Sequence, residues 1–152
     1  MGGYVAFELL RQASDRVVRL VLLSTTPRPD TEQQTRRRHG HIALAEAGRF
    51  NDLIDVLVRL WTPPRTPRRP AAAPGGRRDG RRRRPAGFVR QQQAIMSRPD
   101  SRPELPVIAC PTLVVTGVDD GQTTPEHATE IAEAVPGADL ALVPDCGHLS
   151  SG

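Results

Sequence analysis

Residues 112–150 read "TLVVTGVDDGQTTPEHATEIAEAVPGADLALVPDCGHLS", and this stretch decides the fold class. "TLVVTG" (112–117) is a short aliphatic, β-branched run ended by Gly117, the pattern of a buried strand. Thr124 followed by Pro125 marks a helix start, because proline at the first helical position lacks only an N–H that would have had no partner there. Within "PEHATEIAEAV", Ala128, Ile131, Ala132 and Val135 recur at i, i+3, i+4 and i+7 and define one apolar face. Pro136-Gly137 closes that helix. "ADLALVP" (138–144) then alternates Leu140 and Leu142 with small or polar neighbours, as a further strand does. A strand, a helix and a strand in this order imply parallel pairing through a crossover.

The upstream sequence repeats the theme. "RVVRLVLLST" (16–25) is a near-continuous aliphatic run, expected to be a strand covered on both faces and stopped by Pro27 and Pro29. Residues 4–13 place Val5, Ala6, Leu9, Leu10 and Ala13 on one helical stripe, ended by Ser14-Asp15. From Thr31 to Leu60 the period is helical again, with "IALAEAGRF" and "NDLIDVLVRLW" reading as two helices broken near Gly48. "FVRQQQAIM" (88–96) suggests another short helix, followed by the proline-punctuated "SRPDSRPELPVIACP". The class is α/β: about three parallel strands with helices, plus a helical insertion.

Charge is concentrated in one place. The 152 residues carry a net +4, and every basic residue apart from histidine is arginine. Between Thr62 and Gly87, "TPPRTPRRPAAAPGGRRDGRRRRPAG" sets nine arginines against one aspartate, so the remainder is slightly acidic. This segment holds no Val, Leu, Ile, Phe or Met and cannot bury enough apolar surface to offset the entropy of ordering; it is read as disordered. The expected organisation is therefore a core from 1–26 and 99–152, inserted helices from 27–61 and 88–98, and the low-complexity segment 62–87.

Other classes are excluded by simple counts. No apolar run approaches the roughly 20 residues that cross a bilayer, and no basic-then-apolar leader opens the sequence. The reading is a soluble, cytoplasmic protein. Cys110 and Cys146 lie in different segments without metal-ligand spacing and are read as small buried free thiols. No metal or cofactor motif is present.

The chemistry is expected at the carboxyl ends of the strands, where parallel α/β sheets gather functional groups. "GVDDGQTTP" follows the strand 112–117, and "VPDCGHLS" follows the strand 138–143. An acid after one strand and a histidine after the next can meet, the carboxylate fixing the imidazole tautomer and stabilising the imidazolium. Taken singly, Asp119 and Asp120 also suit a turn or a helix cap. Ser24, at another strand end without a glycine-rich turn, reads as a hydrogen-bonding strand terminus. His39, His41 and His127 lack the strand-end context and read as surface residues.

These residues resemble the α/β-hydrolase superfamily. "GVDDGQTTPE" is similar to the family's acid loop and "PDCGHLS" to its histidine loop; the match implies Asp120 as the acid, rather than Asp119, and His148 as the general base. The opening "MGGYVA" resembles the residues just after the nucleophile in the elbow G-x-S-x-G, with Met1 as the residue after the serine and Gly2 as the last glycine. The nucleophile is then expected immediately before Met1, outside this sequence, and the backbone N–H of Met1 in the oxyanion hole, compromised where it is a chain terminus. The resemblance implies the C-terminal portion of such a sheet, with 27–98 in the place of the cap. It implies a Ser-His-Asp hydrolase of carboxylic esters, lactones or related carbonyl compounds, acting on a small molecule and inactive as this chain alone. It also implies a sheet edge open to association.

Two rival readings stand beside it. One is a non-catalytic remnant that pairs with a complementary fragment. The other is a nucleic-acid binder using the arginine arm, whose affinity would collapse with salt; no aromatics interleave with that arm and no nucleic-acid-binding fold surrounds it. The expectation preferred for 62–87 is a cap region read out of frame, since G/C-rich codons in a shifted frame yield this Arg, Pro, Ala and Gly mixture.

Overall fold

The computed structural model describes residues 1–61 and 80–148, with side chains described for 1–57 and 85–148. Helix α1 (Gly2–Ala13) starts behind Met1, whose carbonyl accepts hydrogen bonds from the N–H groups of Tyr4 and Val5 at 3.1 and 3.3 Å. Its inward side is Phe7, flanked by Ala6 and Leu10, while Val5 and Leu9 are exposed. The buried stripe is thus rotated from the one expected at Val5 and Leu9. Phe7, the largest wholly apolar side chain of the helix, sets the inward direction. Gly3 lies on the same line because the Thr25 side chain fills the space that a Cβ there would need. A 3-10 turn, Ser14–Arg16, ends the helix.

Three parallel strands come next, in the order β1 (Leu20–Leu23), β2 (Thr112–Gly117) and β3 (Asp139–Val143). Leu22 pairs with Val114 and Val114 with Leu140; Val115 pairs with both Leu23 and Ala141. Strand alternation therefore puts Leu20, Leu22, Val114 and Thr116 on one face. That face meets Phe7 of α1, Leu105 and Ile108 of the segment before β2, and Ala128, Ile131 and Val135 at helix α5 (Pro125–Ala134). The helical stripe read from the sequence of α5 is the one buried: Ile131 is 0% exposed and Val135 2%.

The opposite face is different. Val21, Leu23, Leu113 and Val143 point there and are 37–54% exposed. The sequence predicts cover on both sides of β1; among the described residues it is covered on one. The aliphatic run predicts two apolar faces correctly, but the helices α1 and α5 both lie on the same one.

Between β1 and β2 the chain forms helices α2 (Glu32–Glu46), α3 (Phe50–Trp61) and α4 (Gly80–Met96). Thr31 and Gln34 form a reciprocal capping box that starts α2, satisfying two backbone donors left over by helix geometry. The break between α2 and α3 falls at Gly48, as the sequence indicates, with φ +77°. Ala45, Leu53, Leu57 and Ile95 are buried, α2 packs against both α3 and α4, and Phe50 meets Phe88 edge-on at 5.4 Å. Most of the segment expected to be disordered, 62–79, lies outside the described residues. Helix α4 spans Gly80–Met96 with Pro85 inside it, so the helix predicted for 88–96 has an earlier start.

A charged clamp joins these helices to the core. Asp30, whose side chain is 2% exposed, lies 2.5 Å from Nε of Arg38 and 2.8 Å from an Nη of Arg98. Arg98 also donates to the carbonyl of Arg28 and lies 4.2 Å over the Tyr4 ring. Arg38 reaches Gln92 of α4 at 3.0 Å. Burial opposes ionisation of Asp30, but the two guanidinium groups outweigh it and hold the carboxyl below its usual range.

Candidate active site

The carboxyl ends of β2 and β3 are drawn together by backbone contacts. The N–H of Val118 donates to the carbonyl of Val143, and that of Asp119 donates to the carbonyl of Cys146, each at 2.9 Å. Asp145, at φ +52°, turns the chain after β3; aspartate tolerates this left-handed region better than most residues. The returning loop then runs directly against Gly117, where a Cβ would overlap the carbonyl of Cys146. In the sequence, Gly117 reads as the end of a strand and, through the family resemblance, as the start of the acid loop. Its structural task is to let the histidine loop approach.

Asp120 sits in the turn after β2. It is 2% exposed. Its Oδ1 accepts hydrogen bonds from the backbone N–H groups of Gln122 at 2.8 Å and Thr123 at 2.9 Å, and its Oδ2 accepts from the Thr123 hydroxyl at 2.7 Å. His148 Nδ1 lies 2.9 Å from Oδ2. Burial pushes the Asp120 carboxyl up, but the bonds from His148, from the N–H and hydroxyl of Thr123 and from the N–H of Gln122 prevail. The group is held far below the ordinary carboxylate range. It is an ionised acceptor at neutral pH, oriented by three donors of its own loop.

The structure thus brings Asp120 and His148 together and leaves Asp119 exposed. Thr123 is a residue that sequence reasoning missed. An Asp-x-x-Thr spacing inside a turn was the available signal, because a hydroxyl three residues on can return to the aspartate. Thr116, 1% exposed on β2, supports this turn by donating its hydroxyl to the Thr123 carbonyl at 3.2 Å.

The remaining candidates are distributed elsewhere. Met1 caps α1 through its carbonyl. Ser24 donates its N–H to the Val115 carbonyl at 2.9 Å, as a strand terminus does, yet its Oγ is buried without a partner among the described residues, and its φ is +43°. His39 is exposed; His41 and His127 are half-buried, and His127 lies 3.2 Å from the Thr124 hydroxyl. Desolvation, with Arg37 and Arg38 nearby, lowers the pKa of His41. Cys110 and Cys146 are free and half-buried, less enclosed than expected. Among the described residues, no group of three or more His, Cys, Asp or Glu side chains is placed to hold a metal ion, and no helix is long and apolar enough to cross a membrane.

The sequence profile described as "Alpha/beta hydrolase family" matches residues 1–151. No match was found among curated proteins. Among solved structures, the chain is similar to a thermophilic esterase from Thermogutta terrifontis, with 26% identity, a TM-score of 0.71 and coverage of 97% of this chain and 55% of that one. It is also similar to the enol-lactonase from Burkholderia xenovorans LB400, at 25% identity and TM-score 0.73, covering 99% of this chain and 56% of the other. An alpha/beta hydrolase enzyme from a Medee basin deep-sea metagenome library shares the fold at TM-score 0.79 and 18% identity, covering 98% and 56%. The chain therefore spans a little over half the length of these structures. With the family profile matched over residues 1–151 and a three-stranded parallel sheet, the chain belongs to the alpha/beta hydrolase family.

Proposed function

We propose that this chain supplies the acid and the general base of a Ser-His-Asp hydrolase acting on small carboxylic esters or lactones. The observation that carries the reading is the His148 Nδ1 to Asp120 Oδ2 distance of 2.9 Å at adjoining strand ends. In the proposed mechanism His148 takes the proton of an attacking serine hydroxyl and returns it to the leaving group, while Asp120 orients the ring and stabilises the imidazolium. The serine is assigned, from the match of "MGG" to the end of the elbow motif, to the position immediately before Met1. The N–H of Met1 is assigned to the oxyanion hole on the same ground. Residues 27–98 are assigned to the cap over the acyl pocket. The similarity to an esterase and an enol-lactonase at 25–26% identity supports the substrate class.

On this reading residues 1–152 alone are inactive, and the DNA just before the Met1 codon encodes Gly-x-Ser in frame. Hydrolysis of p-nitrophenyl acetate by 1–152 is expected to stay at background. A chain extended by that upstream segment is expected to turn the ester over, and His148→Ala is expected to lower its kcat by about three to six orders of magnitude. Turnover by the extended chain that is indifferent to His148, or robust turnover by 1–152 itself, refutes the proposal. A non-catalytic remnant, the competing reading, predicts no turnover by either chain.

A further inference from the structure

The Thr123 hydroxyl touches both members of the proposed pair: it donates to Asp120 Oδ2 at 2.7 Å and lies 3.2 Å from His148 Nδ1. Thr123 is 6% exposed, so bulk water does not compete freely for these contacts. A hydroxyl has a single proton. An ionised carboxylate only accepts, so the 2.7 Å contact commits that proton to Asp120. Toward His148, the Thr123 oxygen is then left with lone pairs alone. The Nδ1 atom faces three acceptors at once, Asp120 Oδ2 at 2.9 Å, Asp120 Oδ1 at 3.2 Å and Thr123 Oγ1 at 3.2 Å. The only proton arrangement that satisfies all of these contacts has hydrogen on Nδ1.

We propose that Thr123 is a positioning residue that locks the neutral His148 ring in its Nδ1–H tautomer and holds Asp120 Oδ2 in line with it, leaving Nε2 as the basic nitrogen. The proposal rests on the Asp120–His148 reading above and adds the residue that sets its proton. The fold holds Thr123 in place from beneath. Thr116 on β2 donates its hydroxyl to the Thr123 carbonyl at 3.2 Å, and the Thr123 N–H is fixed on Asp120 Oδ1 at 2.9 Å. Asp120 retains its two backbone donors if the hydroxyl is removed, so the turn survives while one oxygen loses its restraint. Thr123 therefore acts on the imidazole through both its own lone pairs and the carboxylate it steers.

The test reads the tautomer directly, without turnover. Long-range proton–nitrogen spectra of the imidazole are recorded on 1–152 at a pH where His148 is neutral. The unmodified chain is expected to show Nδ1–H. Thr123→Val, which keeps the shape and removes the hydroxyl, is expected to raise the Nε2–H share roughly fivefold, the factor set by one ordinary net hydrogen bond. Thr123→Ser is expected to restore the original balance. An unchanged tautomer ratio in Thr123→Val, or a Thr123→Ser chain that behaves like it, overturns the proposal. A second measurement needs no variant: the Thr123 hydroxyl proton is expected as a slowly exchanging resonance, and exchange at the rate of an open hydroxyl overturns the proposal equally. Absence of ester hydrolysis would strike at the hydrolase reading and leave this result standing.

Discussion

Asp120 holds a charge where burial alone would oppose it, and that makes its ionisation part of the stability of the fold. Its native carboxyl titrates well below an unfolded aspartate, whose value is about 3.9. A depressed native value means stability that is complete above the unfolded pKa and lost as the pH falls through the gap toward the native one. Urea midpoints are therefore expected to drop from about pH 5 toward about pH 2, with a shallower drop in Asp120→Asn, which has no carboxyl to protonate. Equal acid slopes in the two chains would show that the hydrogen bonds around Asp120 do not favour its charged form. An acid after β2 and a histidine after β3 were legible as a pair from their successive strand ends, while the choice of Asp120 over Asp119 came from the resemblance to the family's acid loop. Thr123 was not legible, because a threonine before a helix has a ready alternative as a cap. The Ser24 side chain also escaped: a buried hydroxyl without a partner among the described residues is a property of packing, and no sequence pattern encodes it.

At the scale of elements, the type and order of helices and strands were the most legible, and the face each turned inward the least. β2 runs over 112–117, as its sequence indicates, because Pro111 and Gly117 bound it sharply. β1 is shorter than its aliphatic run, 20–23 within 16–25, since valines at 17 and 18 have strand propensity but, among the described residues, no neighbouring strand to pair with there. α1 carries apolar residues on two sides, so periodicity alone could not choose between Val5–Leu9 and Phe7–Leu10. The close approach of the histidine loop to β2 was equally hidden, and it yields a direct prediction. Gly117→Ala places a methyl group against the Cys146 carbonyl, between two backbones with no flexible side chain to yield. It is expected to cost about 1–3 kcal/mol and to pull His148 off Asp120, visible as loss of the Nδ1 contact in a structure or in imidazole spectra. Gly121→Ala, one turn away with nothing within 4 Å of the added Cβ, is expected to stay within about 0.5 kcal/mol. If the two substitutions are equally mild, the loop is free to move and Gly117 does not position it.

For the whole molecule, the uneven cover of the sheet is the dominant fact. Along β1 and β2 one face is covered by α1, α5 and the segment before β2, with Leu22 at 1% and Val114 at 1% exposure, while Leu140 and Leu142 of β3 on that face stay 39% and 46% exposed. The other presents Val21, Leu23, Leu113 and Val143 together, and β1 pairs with a neighbour on one side only among the described residues. Contiguous apolar surface beside an unpaired strand edge favours association. The matched structures carry close to half of their length outside the region they share with this chain, which is material enough to cover such a face in them. Residues 1–152 in isolation are therefore expected to bind a hydrophobic dye and to scatter light as oligomers. The doubly substituted chain Val21→Thr, Leu23→Gln is expected to become monomeric while losing little stability, about 0.5 kcal/mol or less, because both side chains are already half in water. Leu22→Ala, between them on the covered face, is expected to cost about 2–5 kcal/mol without changing the association. A monodisperse wild-type monomer that ignores the dye would mean that this face is covered by something other than the residues described, and a double variant that still associates would move the contact to the edge of β1.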